Sequence, residues 1–143
     1  MQKELLLKEF KDVESVIELL KSSVSKFKSY NPKRSYTPEE LEYYDSLSFR
    51  FEKVIEIMLN FYKGLEMFLY ARTSDTLRNL LLIMQKLNLT EDIEFWMEAR
   101  ILRNKIVHTY EPEKLKELYE EIKGKSIKTF THMDKIAFYL KTL

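Results

Sequence analysis

The chain has 143 residues, a formal net charge of +1, 45% hydrophobic residues and 33% charged ones. This balance fits one globular domain over residues 1–143 and excludes a disordered or strongly polyionic chain. It carries no cysteine and only 2 histidines, which excludes disulfides, thiolate zinc sites and cysteine nucleophiles, and leaves no expectation of a metal or cofactor. With 2 Gly and 3 Pro there are few positions for tight turns, so long helices are favoured over many short strands.

Leu6, Phe10, Val13, Ile17, Leu20, Val24 and Phe27 alternate at spacings of four and three, predicting one long amphipathic helix over about residues 2–29. Asn31-Pro32 marks the turn that follows. Thr37-Pro38-Glu39-Glu40 then has the pattern of a helix start: a capping hydroxyl, proline at the first helical position, and a glutamate placed to close a capping box. The second helix is expected to run to about Arg72. Its aromatic load (Tyr43, Tyr44, Phe49, Phe51, Phe61, Tyr62, Phe68, Tyr70) exceeds what one core stripe uses, so part of it is expected to face a partner.

Thr73-Ser74-Asp75 breaks the chain and offers a cap. A short third helix follows, carrying Leu77, Leu80, Leu81, Met84 and Leu87 and closing at Asn88. Thr90 is the expected cap of a fourth helix that should end before Pro112. Pro112 opens a fifth helix with Leu115, Leu118, Tyr119 and Ile122, which Gly124 is expected to end or kink. Ile127, Phe130, Met133, Ile136, Ala137 and Leu140 continue the helical spacing beyond it. The sum is an all-α, antiparallel up-and-down bundle of about five helices. No apolar run approaches the ~20 residues that span a bilayer. The start Met1-Gln2-Lys3-Glu4 has no signal-peptide pattern. The expectation is a cytoplasmic chain with no membrane partner. The net charge provides no global attraction to nucleic acid, so RNA binding would need a local cationic patch.

The fourth helix has more apolar surface than its own bundle needs. Taking about 100° per residue from Arg103, Phe95, Ala99, Leu102 and Ile106 fall on a core side, while Trp96, Val107 and Tyr110 share Arg103's stripe. Ile93, Met97, Ile101, Asn104 and His108 lie on a further, outer side. A surface helix of a monomer needs an apolar arc of a little over 100°, and this arc is roughly twice that. The simplest cover for the excess is a second copy of the chain, with Met97 and Ile101 at the interface. Arg103, Asn104, His108 and Tyr110 then gather at one cleft. His132 has no such company and reads as a surface residue.

The segment Arg103-Asn104-Lys105-Ile106-Val107-His108-Thr109-Tyr110 resembles the signature of HEPN domains: an arginine followed by a polar residue, four residues between arginine and histidine, then one residue and tyrosine. It is most similar to the small HepT-like proteins encoded beside a minimal nucleotidyltransferase. In the branch known as nucleotidyltransferase substrate-binding proteins the segment also reads Arg-Asn, three residues, His-Thr-Tyr. The acidic helix start from Thr90 to Trp96 looks like that branch too. The resemblance implies an all-helical homodimer that acts as the toxin of a toxin–antitoxin pair. It would be a metal-independent endoribonuclease with RNA as substrate and Arg103, His108 and Asn104 as catalytic residues. Its cognate nucleotidyltransferase would silence it by transferring AMP to Tyr110. The alternative is a non-catalytic nucleotide- or substrate-binding subunit of that transferase.

The residues suit such chemistry. RNA brings its own nucleophile, the 2′-hydroxyl. A histidine titrating near neutrality can take or give the proton, and an arginine can hold the phosphorane oxygens while remaining charged. Two histidines from two chains would divide the acid and base roles.

Overall fold

The computed structural model describes residues 2–143. Five helices follow one another: α1 (Lys3–Ser25), α2 (Pro38–Tyr70), α3 (Leu77–Lys86), α4 (Ile93–His108) and α5 (Pro112–Leu140). There is no strand among the described residues, and the buried side chains of all five helices form one continuous cluster. No helix among them is long and apolar enough to cross a membrane.

α1 lies along α2 and buries the predicted stripe at Leu6, Val13, Ile17 and Leu20, while Phe10, Val24 and Phe27 are half-buried. Carbonyls near the end of α1 and in the turn after it are met from α2. Tyr43 donates its hydroxyl to Ser23 O (2.7 Å), Tyr44 to Lys28 O (2.7 Å), and Arg50 donates to Leu19 O (3.2 Å). α2 begins with the expected capping box: the Glu40 amide donates to Thr37 Oγ1, the Glu40 carboxylate accepts from the Thr37 amide, and Pro38 takes the first turn. Most of the α2 aromatics serve the protein's own core. Tyr44, Phe51, Phe61 and Tyr62 are buried, and only Phe49 and Tyr70 are exposed.

α2 ends where Ala71 adopts the left-handed conformation (φ 53°). The buried carboxylate of Glu66 then accepts from the Ser74 amide (2.7 Å) and hydroxyl (2.6 Å), which turns the chain into α3. The cap of α3 is Thr76, just beyond the predicted break. Asn88 terminates α3 in the left-handed region (φ 61°), where an asparagine is tolerated.

Three expectations need correction. Asp92, not Thr90, caps α4 through its carboxylate and the Glu94 amide. Gly124 does not end α5, which runs on to Leu140, because a glycine with helical neighbours on both sides weakens a helix without forbidding it. His132 is buried, not on the surface. Thr90 Oγ1 and His132 Nε2 lie 3.1 Å apart, and Trp96 Nε1 donates to the same hydroxyl (3.1 Å). Thr90 therefore serves this buried network instead of a helix end. On α5 the predicted Leu118, Tyr119, Ile122, Met133, Ile136 and Leu140 are buried and only Ile127 of that stripe faces outward, while Lys125, Ser126, Thr129 and His132 also face in. Their burial is tolerable because Ser126 and Thr129 return their hydroxyls to backbone carbonyls within α5 and Lys125 reaches Glu98 (2.8 Å).

Candidate functional site on α4

α4 enters the bundle at Ile93 and emerges from it toward His108. At its start Trp96 is fully enclosed by Tyr62, Phe95 and His132. Ile93, assigned from the sequence to the outer side, is covered by the protein's own core. Arg78 of α3 pairs with Glu94 nearby (3.1 Å). Further along, the core side remains closed by Ala99 and Leu102, but the other sides open. Ile101 is 57% exposed and Val107 61%. The excess apolar arc is therefore confined to the second half of the helix.

The predicted residues lie on that open half. Met97, Ile101, Asn104 and His108 recur at spacings of four, three and four, which places them on one side of α4. Met97 is half-buried, and the other three are exposed. Neither Asn104 nor His108 has a side-chain hydrogen bond among the described residues. His108, with Lys105, occupies the last turn, where a cation is favoured by the negative end of the helix dipole. Arg103 sits at the border and donates from Nη1 to Glu56 Oε2 of α2 (2.8 Å). The adjacent Glu52 is held above the usual carboxylate range by burial, an effect that the Arg103 charge opposes.

Tyr110 is displaced from its predicted place. α4 stops at His108 and Thr109 is extended (φ −103°, ψ 121°), its hydroxyl donating to Lys105 O (2.6 Å). Tyr110 thus stands in the link before Pro112 and is 79% exposed. The sequence correctly makes proline end the helix, but the helix ends earlier than the stripe containing Tyr110 requires.

Two hollows flank Arg103. One, of ≈ 400 Å³, lies between α2, α3 and α4 and includes Glu56, Lys63 and Thr76. The other, of ≈ 380 Å³, runs along the open side of α4 and is lined by Met97, Arg100, Ile101, Arg103 and Asn104. Arg100 lines both and has no carboxylate partner among the described residues. Sequence reasoning does not single it out; the available signal is its place one turn before Arg103. Among the described residues no group of three or more His, Asp and Glu side chains gathers where a metal ion would be held.

These features define an all-helical bundle that carries a cationic, polar motif on the uncovered half of one helix. The family described as nucleotidyltransferase substrate binding protein like matches residues 8–136, and the chain belongs to that family. No curated protein and no solved structure matches the chain.

Proposed function

We propose that the chain acts as a homodimeric, metal-independent endoribonuclease, the toxin of a toxin–antitoxin pair, controlled by a minimal nucleotidyltransferase. The observation that carries this reading is the exposure of Ile101, Asn104 and His108 along one side of α4, beside Arg103 and Arg100. One copy supplies one histidine at this side. A two-fold partner laid against Ile101 supplies a second and shields both from water.

In the reaction the 2′-oxygen bonds to phosphorus while the bond from phosphorus to the 5′-oxygen breaks. His108 of one copy accepts the 2′-hydroxyl proton, and His108 of the other donates a proton to the departing 5′-oxygen. Arg103 keeps most of its five N–H donors free of Glu56 and directs them at the phosphorane oxygens. Asn104 positions the strand. Control acts at Tyr110: its phenol oxygen attacks the α-phosphorus of ATP on the transferase, pyrophosphate leaves, and the phenol proton is lost to solvent. The attached adenylate adds bulk and negative charge at the open end of α4 and repels the RNA phosphate there.

The purified chain should cleave RNA in the presence of EDTA. His108→Ala and Arg103→Ala should each lower the rate at least ~100-fold, within the range for loss of a general acid–base or an oxyanion donor. Tyr110→Phe should retain cleavage and gain no adenylate mass from the transferase with ATP and Mg²⁺. Normal cleavage by His108→Ala would overturn the chemistry. The family description also favours a second reading, a non-catalytic subunit that presents substrate to the transferase. An inactive wild-type chain that still binds nucleotide or the transferase would select it.

A further inference from the structure

A further hollow of ≈ 530 Å³ opens between the α1–α2 connection and the first turns of α2, lined by Lys26, Lys28, Arg34, Tyr36, Tyr43 and Tyr44 among others. We propose that this cleft binds single-stranded RNA and holds the substrate strand away from the α4 motif, an inference that rests on the ribonuclease reading above. The chain as a whole is nearly neutral, yet the cleft brings three cations against one carboxylate, Glu40. That carboxylate is already engaged by the Thr37 amide and by Arg34. Lys26 and Lys28 have no ion-pair partner among the described residues. Their charges are therefore available to phosphates.

The aromatic walls are fixed. Tyr43 and Tyr44 anchor their hydroxyls to carbonyls of α1 and the following turn, and the Tyr36 hydroxyl accepts from the Asn31 amide (2.8 Å). Tyr36 stacks on Tyr30 (4.8 Å, 11°), and the Arg34 guanidinium lies over the Tyr36 ring at 4.6 Å. Arg34 is thus held between a ring and a carboxylate while its side chain stays half exposed. Its outer face is a platform for an unstacked base. Duplex bases are stacked on one another and cannot use it. None of the cleft residues is among the exposed large hydrophobic side chains, so the cleft offers nothing to insert into a lipid surface. Along α2 the rise from Tyr44 to Glu56, which holds Arg103, is ~18 Å, a span that a short single strand can cross.

The test is fluorescence anisotropy of the full chain with a non-cleavable 2′-O-methyl RNA oligonucleotide over a range of salt concentrations. The double variant Lys26→Gln/Lys28→Gln should bind about tenfold more weakly. Its log–log salt slope should be shallower by about 1.4, since each lysine that neutralises a phosphate of a single strand contributes ~0.7. Arg34→Lys should keep the slope and still bind about fivefold more weakly, because the charge remains and the flat face is gone. Unchanged affinity and slope in the lysine double variant would overturn the proposal, as would equal binding of a duplex of the same length. A double variant that binds RNA normally but is no longer adenylated would also overturn it and make the cleft a transferase surface. The readout needs no cleavage. An inactive chain whose variants weaken in this way counts against the ribonuclease reading and leaves the cleft standing. A fully active chain with unaltered binding removes the cleft alone.

Discussion

His132 shows how a single side chain can be misread from its sequence neighbours. Between Thr131 and Met133, in a helix rich in lysine, it looks like surface, yet it is packed against Phe95 and Trp96. Its Nδ1 lies 2.8 Å from Lys128 O, a contact that requires the proton on Nδ1 and leaves Nε2 to accept from Thr90. The ring is thereby stabilised in its neutral form. Burial lowers its pKa below the ordinary 6.5, aided by the charges of Lys135 and Lys128 and opposed by the Lys128 carbonyl and Glu91. Because the folded value is depressed, the unfolded chain takes up the proton first as pH falls. The contribution to stability is complete above about pH 6.5 and is lost as pH falls toward the folded value. The urea midpoint should therefore drop from about pH 7.5 to about pH 5.5. His132→Phe should retain the stacking and flatten this dependence, at a cost of about 1 kcal/mol for the missing hydrogen bonds. Glu40, held below the usual carboxylate range by the Thr37 amide, and Glu91, held there by Lys135, act in a separate and more acidic window. The sequence did not reveal the His132 network because its partners, Thr90, Trp96 and His132, meet only through the tertiary fold.

At the scale of the helix, the legible signals were those with a local cause. The Thr37 capping box, Pro38, Pro112 and Asn88 each act through backbone geometry within a few residues, and each sits where the sequence places it. The apolar stripe of α5 was legible apart from Ile127, but the burial of Lys125, Ser126 and Thr129 beside it was not, because these residues look polar to a hydrophobic pattern. The two-sidedness of α4 was legible only in part. The pattern reports how much apolar arc there is, but not that α2, α3 and α5 cover its first half and leave the second open. Two substitutions follow from the helix geometry. Gly124 lies inside α5, and nothing stands within 4 Å of the position a Cβ would take. Gly124→Ala should raise stability by about 1 kcal/mol. Ala71→Gly should add about 0.5–1 kcal/mol by relieving the left-handed conformation of an alanine. Both are read as shifts in the denaturant midpoint with unchanged slope.

At the scale of the molecule, part of the uncovered apolar surface lies on the helix that carries the motif. Ile101 and Val107 of α4 are both more than half exposed. Two exposed aliphatic side chains on the helix of a polar motif suit an interface better than open water. Sedimentation at micromolar concentration should give twice the 17.3 kDa chain mass. Ile101→Glu should give the single mass and, with it, lose RNA cleavage while the helical circular dichroism is retained. A wild-type chain that sediments as a monomer would remove the two-histidine site.

The extended link at Tyr110 has a kinetic consequence. A residue inside a packed helix reaches a modifying enzyme only in the fraction of time the helix is open, so its modification rate carries an opening constant that falls as the fold is strengthened. Tyr110 stands outside α4, with the Thr109 hydroxyl closing the helix end behind it and Pro112 starting the next helix ahead. Its phenol is exposed in the folded chain without any opening of the helix. Adenylation of the Gly124→Ala and Ala71→Gly chains should therefore proceed at the wild-type rate. Modification would then be limited by encounter with the transferase and would not slow as the chain becomes more stable.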